Sequence, residues 1–153
     1  MSGDKPFGGV AFKLSSLGYA VSQGFQRTLA PFDLHPREFA VLRVVGFQEG
    51  QSQQALGESL RIPRSRMVAI VDELERRELL ERQPHATDRR VRQLHLTDEG
   101  KDLLERALAQ AVAFENEVGA PLNAEERRQL LDLLDRIAGS LGIGPGAHAA
   151  LRD

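Results

Sequence analysis

Cysteine is absent from all 153 residues. That excludes disulfides, thiolate zinc sites, iron–sulfur clusters, cysteine nucleophiles and thiol-based switches. No run approaches the ~18 apolar residues of a membrane span. The opening MSGDKPFGG lacks a basic stretch followed by an apolar one, so no signal peptide is expected and a cytoplasmic protein is. The four histidines, at 35, 85, 95 and 148, have no metal-ligand spacing, and there is no H-E-x-x-H motif. Gly142, Gly144 and Gly146 follow a helical stretch without a strand–helix unit behind them, and Gly100-Lys101 lacks the upstream glycine of a phosphate loop. No nucleophile–base arrangement stands out. The expectation is therefore no catalytic residue, no metal, no cofactor and no enzyme. A basic excess is missing too: 20 Lys and Arg face 22 Asp and Glu, for a net charge of −2. Taken alone, that total speaks against a nucleic-acid partner.

The charge is unevenly spread. Residues 1–60 hold five basic and five acidic residues, residues 61–92 nine against six, and residues 93–153 six against eleven. The segments carry 0, +3 and −5. All nine bases of the middle segment are Arg (61, 64, 66, 76, 77, 82, 89, 90 and 92). A charge run is commonly a solvated face. Arg also suits bidentate contact with phosphate and guanine, and a local patch matters more than the total.

At this length one domain is expected, large enough to fold without staples. Residues 8–30 read as a helix with Val10, Leu14, Leu17, Val21, Phe25 and Leu29 on one stripe. Gly18 and Gly24 weaken it but permit close approach of another helix. Pro36 opens a second helix with Phe39, Leu42 and Val45 on its apolar side, ending by Gly46 and Gly50. A short helix over 53–60 is capped by Ser52, and Arg61-Ile62 form a turn. The next helix runs from Pro63 to about Arg77, with Met67, Ile70, Val71 and Leu74 facing a core. Strands over 79–83 and 91–96 bracket the loop PHATDRR. Thr97 caps a long helix, and Asn123 with Glu126 forms a capping box for the last one, whose stripe is Leu130, Leu134, Ile137 and Leu141. Residues 142–153 read as a flexible tail.

Two helices joined by so short a turn fit a helix–turn–helix, whose second helix enters the major groove. Opposite its core face that helix shows Ser65, Ala69, Asp72 and Arg76, with Arg64, Arg66 and Val68 on the flanks. Small residues allow close approach and Arg reaches guanine edges or phosphates. The competing picture is an ordinary surface helix carrying an Asp72–Arg76 ion pair. The hairpin loop adds Arg89, Arg90 and Arg92 against Asp88 alone. A cationic two-stranded ribbon fits phosphates or a narrow minor groove better than it fits an idle polar loop.

These residues resemble the MarR-type winged helix–turn–helix regulators. The likeness lies in Ser52-Gln53-Gln54-Ala55-Leu56-Gly57, in Pro63-Arg64-Ser65-Arg66-Met67-Val68, in Val71-Asp72-Glu73-Leu74-Glu75-Arg76-Arg77, and in Asp88-Arg89-Arg90 through Leu94-His95-Leu96-Thr97-Asp98-Glu99-Gly100. The last run, DRR followed by LT-x-x-G, is the most specific. The fold expected is mainly α with a small β-hairpin. A single MarR-like domain over 8–141 would hold a winged helix–turn–helix core at about 36–97 and dimerisation helices at about 8–30 and 98–141. The resemblance implies a homodimeric repressor on double-stranded DNA with a pseudopalindromic operator. Arg64, Ser65, Arg66 and Ala69 would read the major groove, and Ser52 and Gln53 would steady the phosphate backbone. Arg90, braced by Asp88, would enter the minor groove, with Arg89 and Arg92 on phosphates. Two positions depart from the family pattern: Glu78 replaces the usual Gly, and His35 the usual Ser or Thr.

The resemblance further implies release from DNA by a small aromatic or anionic effector between the dimer helices and the winged domain. Tyr19, His35 and Arg43 lie on segments able to face that crevice, and Arg43 can pair with a carboxylate. The competing picture makes Tyr19 a packing aromatic and Arg43 a surface charge. The alternative function is a winged-helix dimer that binds a ligand or a protein and no DNA.

Overall fold

A computed structural model describes residues 8–144. Helix α1 (Val10–Leu29) runs into a 3-10 turn (Ala30–Phe32) and then α2 (Pro36–Phe47). Helices α3 (Gln53–Leu60) and α4 (Arg64–Arg76) follow, then strands β1 (Leu80–Pro84) and β2 (Arg92–Leu96). The long α5 (Asp98–Gly119) and α6 (Ala124–Ser140) complete the chain. The expected element order holds; β1 shifts by one residue from 79–83, and β2 starts one residue later than the expected 91–96. Pro63 caps α4 from outside instead of occupying its first turn. Most of the expected tail, residues 145–153, lies outside the described residues.

One core joins α2, α3, α4, the hairpin and the start of α5. Phe39, Val41, Leu42 and Val45 meet Leu56, Met67, Val71 and Leu74, closed by Leu80, Leu94, Leu96, Leu104 and Ala107. Leu94 and Leu96 share the inner face of β2, as period-2 alternation requires, while Gln93 and His95 remain half-buried on the other. The hairpin is antiparallel, with Leu80 opposite Leu96 and Pro84 opposite Arg92. The connector before α3 joins the sheet as well. Gly50 N donates to Leu94 O, Leu94 N to Gln51 O, and Ser52 bridges to Gln93. No periodicity marks so short a pairing.

Three helical segments end in the same way. The 3-10 turn, α3 and α4 are each followed by a left-handed residue: Asp33, Arg61 and Glu78. In each case that residue and the next donate back into the last turn, as in Leu79 N to Leu74 O and Glu78 N to Glu75 O. The apolar residue that follows, Leu34, Ile62 or Leu79, is buried. This is the Schellman arrangement, which normally takes glycine at the left-handed position. Here the buried residue behind it holds the turn, so a charged residue stands where glycine would be free of strain.

The joint between β2 and α5 explains the LT-x-x-G motif. Thr97 Oγ1 donates to Glu78 O at 2.6 Å and accepts from Gly100 N at 2.9 Å. A Cβ at Gly100 would fall on the carbonyl oxygen of Leu79. Only glycine lets α5 start this close to the end of α4. Farther along, α5 packs on α1 through Gly24, where a Cβ would lie 2.7 Å from the Phe114 ring. The expected close approach is thus real at Gly24, whereas Gly18 faces open space.

Outside this body the apolar stripes are uncovered. Of the α1 stripe only Leu29 is buried, with Leu14 and Phe25 partly so; Val10, Leu17 and Val21 are exposed. Helix α6 has no buried residue, and Leu130, Leu131, Leu133 and Leu141 are exposed. Its capping box forms as expected, with Asn123 and Glu126 bonded to each other's backbone amides at 2.9 Å.

Candidate nucleic-acid interface

Helix α4 turns Met67, Val71 and Leu74 inward, with Ile70 packed against the same core. Ser65, Ala69, Asp72 and Arg76 are exposed on the opposite side, as are Arg64 and Val68 on the flanks. The outer surface of its first two turns is therefore small or cationic. Arg66 is half-buried, and its Nη1 is enclosed without a hydrogen-bond partner.

Ion pairing sorts the nine arginines into two sets. Arg76 is bound to Glu73, with bonds of 2.9 and 2.6 Å. The bonds from Arg76 hold the Glu73 carboxyl below its ordinary pKa against the opposing effect of burial, with the charges of Arg76 and Arg77 adding to them. Arg77 is bound to the corner before α2. Arg82, on β1, reaches Glu75, Asp72 at 2.5 Å and Gln53 at 3.1 Å. Burial alone would lower its pKa, but hydrogen bonds and the charges of Asp72 and Glu75 outweigh that and raise it. The other six, Arg61, Arg64, Arg66, Arg89, Arg90 and Arg92, have no ion pair among the described residues. They lie at the helix–turn–helix turn, at the start of α4 and on the wing.

The Asp72–Arg76 pair of the competing picture does not form, because each residue has a better-placed partner. Instead Asp72 belongs to a clamp. Arg82 ties the wing strand to both helices of the helix–turn–helix, which fixes the hairpin against α4. The spacing of Arg82 in a strand gave no hint of this, since its partners lie seven, ten and twenty-nine residues upstream.

Residues 85–91 form a tight cap on the wing. His85 N donates to Val91 O, and Val91 N to Asp88 O. Asp88 does brace Arg90, through a 3.0 Å bond to its backbone amide rather than to the guanidinium. This is an Asx turn, and it leaves the Arg90 side chain free to reach outward. Ser52 Oγ is engaged as the cap of α3, accepting from Ala55 N at 3.1 Å. Its hydroxyl hydrogen remains available to donate. Gln53 lends its side-chain oxygen to Arg82, leaving its amide hydrogens.

The three residues expected at an effector crevice lie on α1, at the cap of α2 and within α2. Tyr19 is 71% exposed, and Arg43 is exposed on α2. His35 caps α2, accepting from Arg37 N at 3.3 Å while its own N–H donates to Glu38. It lines an open groove of about 440 Å³ with Gln26, Asp33, Glu38, Glu73 and Arg77. A second groove of about 490 Å³ lies between α1 and α5, lined by Arg27, Phe32, Gln110, Phe114 and Glu117. Neither includes Tyr19 or Arg43.

Comparison with known proteins bears on the same segment. Residues 32–91 match the profile of the MarR family. A transcriptional regulatory protein assigned to the hcr operon of Thauera aromatica is 31% identical over 131 residues, covering 85% of this chain and 79% of that one. The transcriptional repressor CouR, solved on a 23-mer DNA duplex, is 33% identical with a TM-score of 0.75, over 84% of this chain and 92% of its own. CouR from Rhodococcus jostii RHA1 bound to p-coumaroyl-CoA aligns at 31% identity and a TM-score of 0.71, over 84% and 91%.

Proposed function

Because this chain belongs to the MarR family of transcriptional regulators, we propose that it binds double-stranded DNA sequence-specifically as a homodimeric repressor. The observation that carries the reading is the sorting of arginines. The fold uses Arg76, Arg77 and Arg82 internally and leaves six guanidinium groups at the turn, the helix start and the wing. Unpaired Arg in that arrangement suits a polyanion with grooves.

In this reading Arg64, Ser65, Arg66 and Ala69 meet base edges in the major groove. By swinging outward to a phosphate or base, Arg66 would give its Nη1 the partner it lacks where it is now enclosed. Ser52 and Gln53 donate to the backbone with the hydrogens that capping and the Arg82 bond leave free. Arg90 enters the minor groove with its amide held by Asp88, and Arg89 and Arg92 lie on phosphates. The exposed leucines and valines of α1 and α6 cover one another across the dimer, so that 8–30 and 98–141 serve as dimerisation helices around a 36–97 reading head. Release by a small aromatic or anionic effector belongs to the same reading. The p-coumaroyl-CoA bound by CouR supports it, with Tyr19, His35 and Arg43 as the residues to probe.

Selection of bound sequences from random duplexes tests the proposal. The expected product is an inverted repeat with half-sites one or two helical turns apart. A reporter driven from that site should fall when the protein is supplied. Recovery of no enriched sequence at moderate salt would overturn the reading in favour of a ligand- or protein-binding dimer.

A further inference from the structure

Arg77, the residue that closes α4, has a side chain only 18% exposed. Its Nη1 donates to the Asp33 carbonyl at 2.7 Å, and its Nη2 lies 3.4 Å from the Phe32 carbonyl. The carboxylates of Glu38 and Asp33 stand 3.8 and 3.9 Å away. These partners precede Arg77 by 39 to 45 residues and form the corner between α1 and α2. The corner is itself stiff. Asp33 is left-handed at φ 52°, Leu34 behind it is buried, and Glu38 is held by its bond to His35 N. One planar guanidinium thus spans two adjacent carbonyls and fastens the end of α4 to the bend from which α1 departs.

We infer that Arg77 is a positioning residue: it fixes the angle between α4 and α1, and through it the half-site spacing a dimer accepts. The inference rests on the DNA-binding dimer proposed above. Besides the apolar packing of Phe25, Leu29, Leu104 and Ala107 on the core and the exposed Lys101–Glu49 pair, two fixings join the reading head to the outlying helices. One is the seat of α5 on Leu79 through Gly100, and the other is the corner gripped by Arg77. With the second grip gone, a tilt of α4 about the first is opposed chiefly by apolar side chains, which fix an angle less sharply than a planar hydrogen-bonded fork. Changing the separation of two half-sites by one base pair moves them by about 3.4 Å and turns them by about 35°. A two-bond fork tolerates no such displacement, so Arg77 opposes it. Lysine keeps the charge near Glu38 but cannot span both carbonyls in a plane.

The test uses the selected operator and two duplexes whose spacer is longer or shorter by one base pair. Affinities are measured for the wild type, Arg77→Met, Arg77→Lys and Glu38→Gln. The last keeps an acceptor for the cap and removes the charge. The wild type should prefer its own spacing by a wide ratio. Arg77→Met should lower affinity for the native operator about 10-fold and shrink that spacing ratio by a similar factor. Arg77→Lys should restore part of the ratio, and Glu38→Gln should reduce it slightly. A variant weakened only by lost stability would bind all three duplexes proportionally less, so an unchanged ratio in Arg77→Met overturns the inference while DNA binding stands. Should Arg77→Met fail to fold, full wild-type ratios in both Arg77→Lys and Glu38→Gln overturn it instead. Failure of the wild type to bind any selected duplex removes the reading beneath it and the inference together.

Discussion

On α4, Met67, Val71 and Leu74 are buried, whereas on α1 Val10 and Leu17, at the same helical spacing, are 64% and 61% exposed. The contrast extends to the helix ends. Asp33, Arg61 and Glu78 sustain left-handed turns because Leu34, Ile62 and Leu79 are buried behind them. At the end of α6 the same turn uses Gly142, and the following Ile143 is 37% exposed. One region is thus complete within a single chain and carries strained residues. The other has unstrained ends and apolar surface still to be covered. An amphipathic stripe says that a helix buries a face; it does not say whether the cover comes from the same chain.

The difference can be broken first in the core. Leu74→Ala should cost about 3 kcal/mol in a urea titration, at every protein concentration. Leu17→Asp or Leu131→Asp should leave the fold of the single chain intact by circular dichroism. Each should weaken self-association about 100-fold in sedimentation and diminish the concentration dependence of melting. An unchanged sedimentation profile would remove these faces from any interface. Arg90→Ala, on the wing, should reduce operator affinity about 10-fold and the salt slope by about one unit per wing, without shifting the melting temperature. Glu78→Gly should raise stability by about 0.5–1 kcal/mol, since it relieves a left-handed residue at φ 57°. The smallest effect belongs to Gly142→Ala, below about 0.5 kcal/mol, because the end of α6 can fray independently of the core.

Much of this architecture was legible in the sequence because it rests on local rules. Period 3.6 located the helices, Ser52, Thr97 and Asn123 marked their starts, and alternation around a charged loop identified the wing. The outward set on α4 also followed from the period alone. What escaped were contacts between elements distant in sequence. Asp72 sits at helical spacing from Arg76, and local rules can pair them; tertiary structure gives Asp72 to Arg82, and Arg76 takes the other local partner, Glu73, three residues back on the same helix. The pairing of residues 50–52 with β2 involves too few residues to show a pattern. Glu78 was visible as a departure from the family's glycine, and its positive φ shows what that glycine is for. The effector residues Tyr19, His35 and Arg43 could be picked by segment alone, since a crevice is defined by surfaces that no single helix period describes.

The seat of Gly100 against Leu79 has a mechanical consequence. Helix α5 has 22 residues and so extends about 33 Å. With no side chain between them, the turn that ends α4 and the base of this rod touch backbone to backbone, and one can pivot on the other. The rod is a lever whose fulcrum is a bare Cα. A tilt of about 5° at the fulcrum sweeps the far end through about 3 Å. A disturbance too small to disrupt packing at one end is therefore delivered, magnified, at the other.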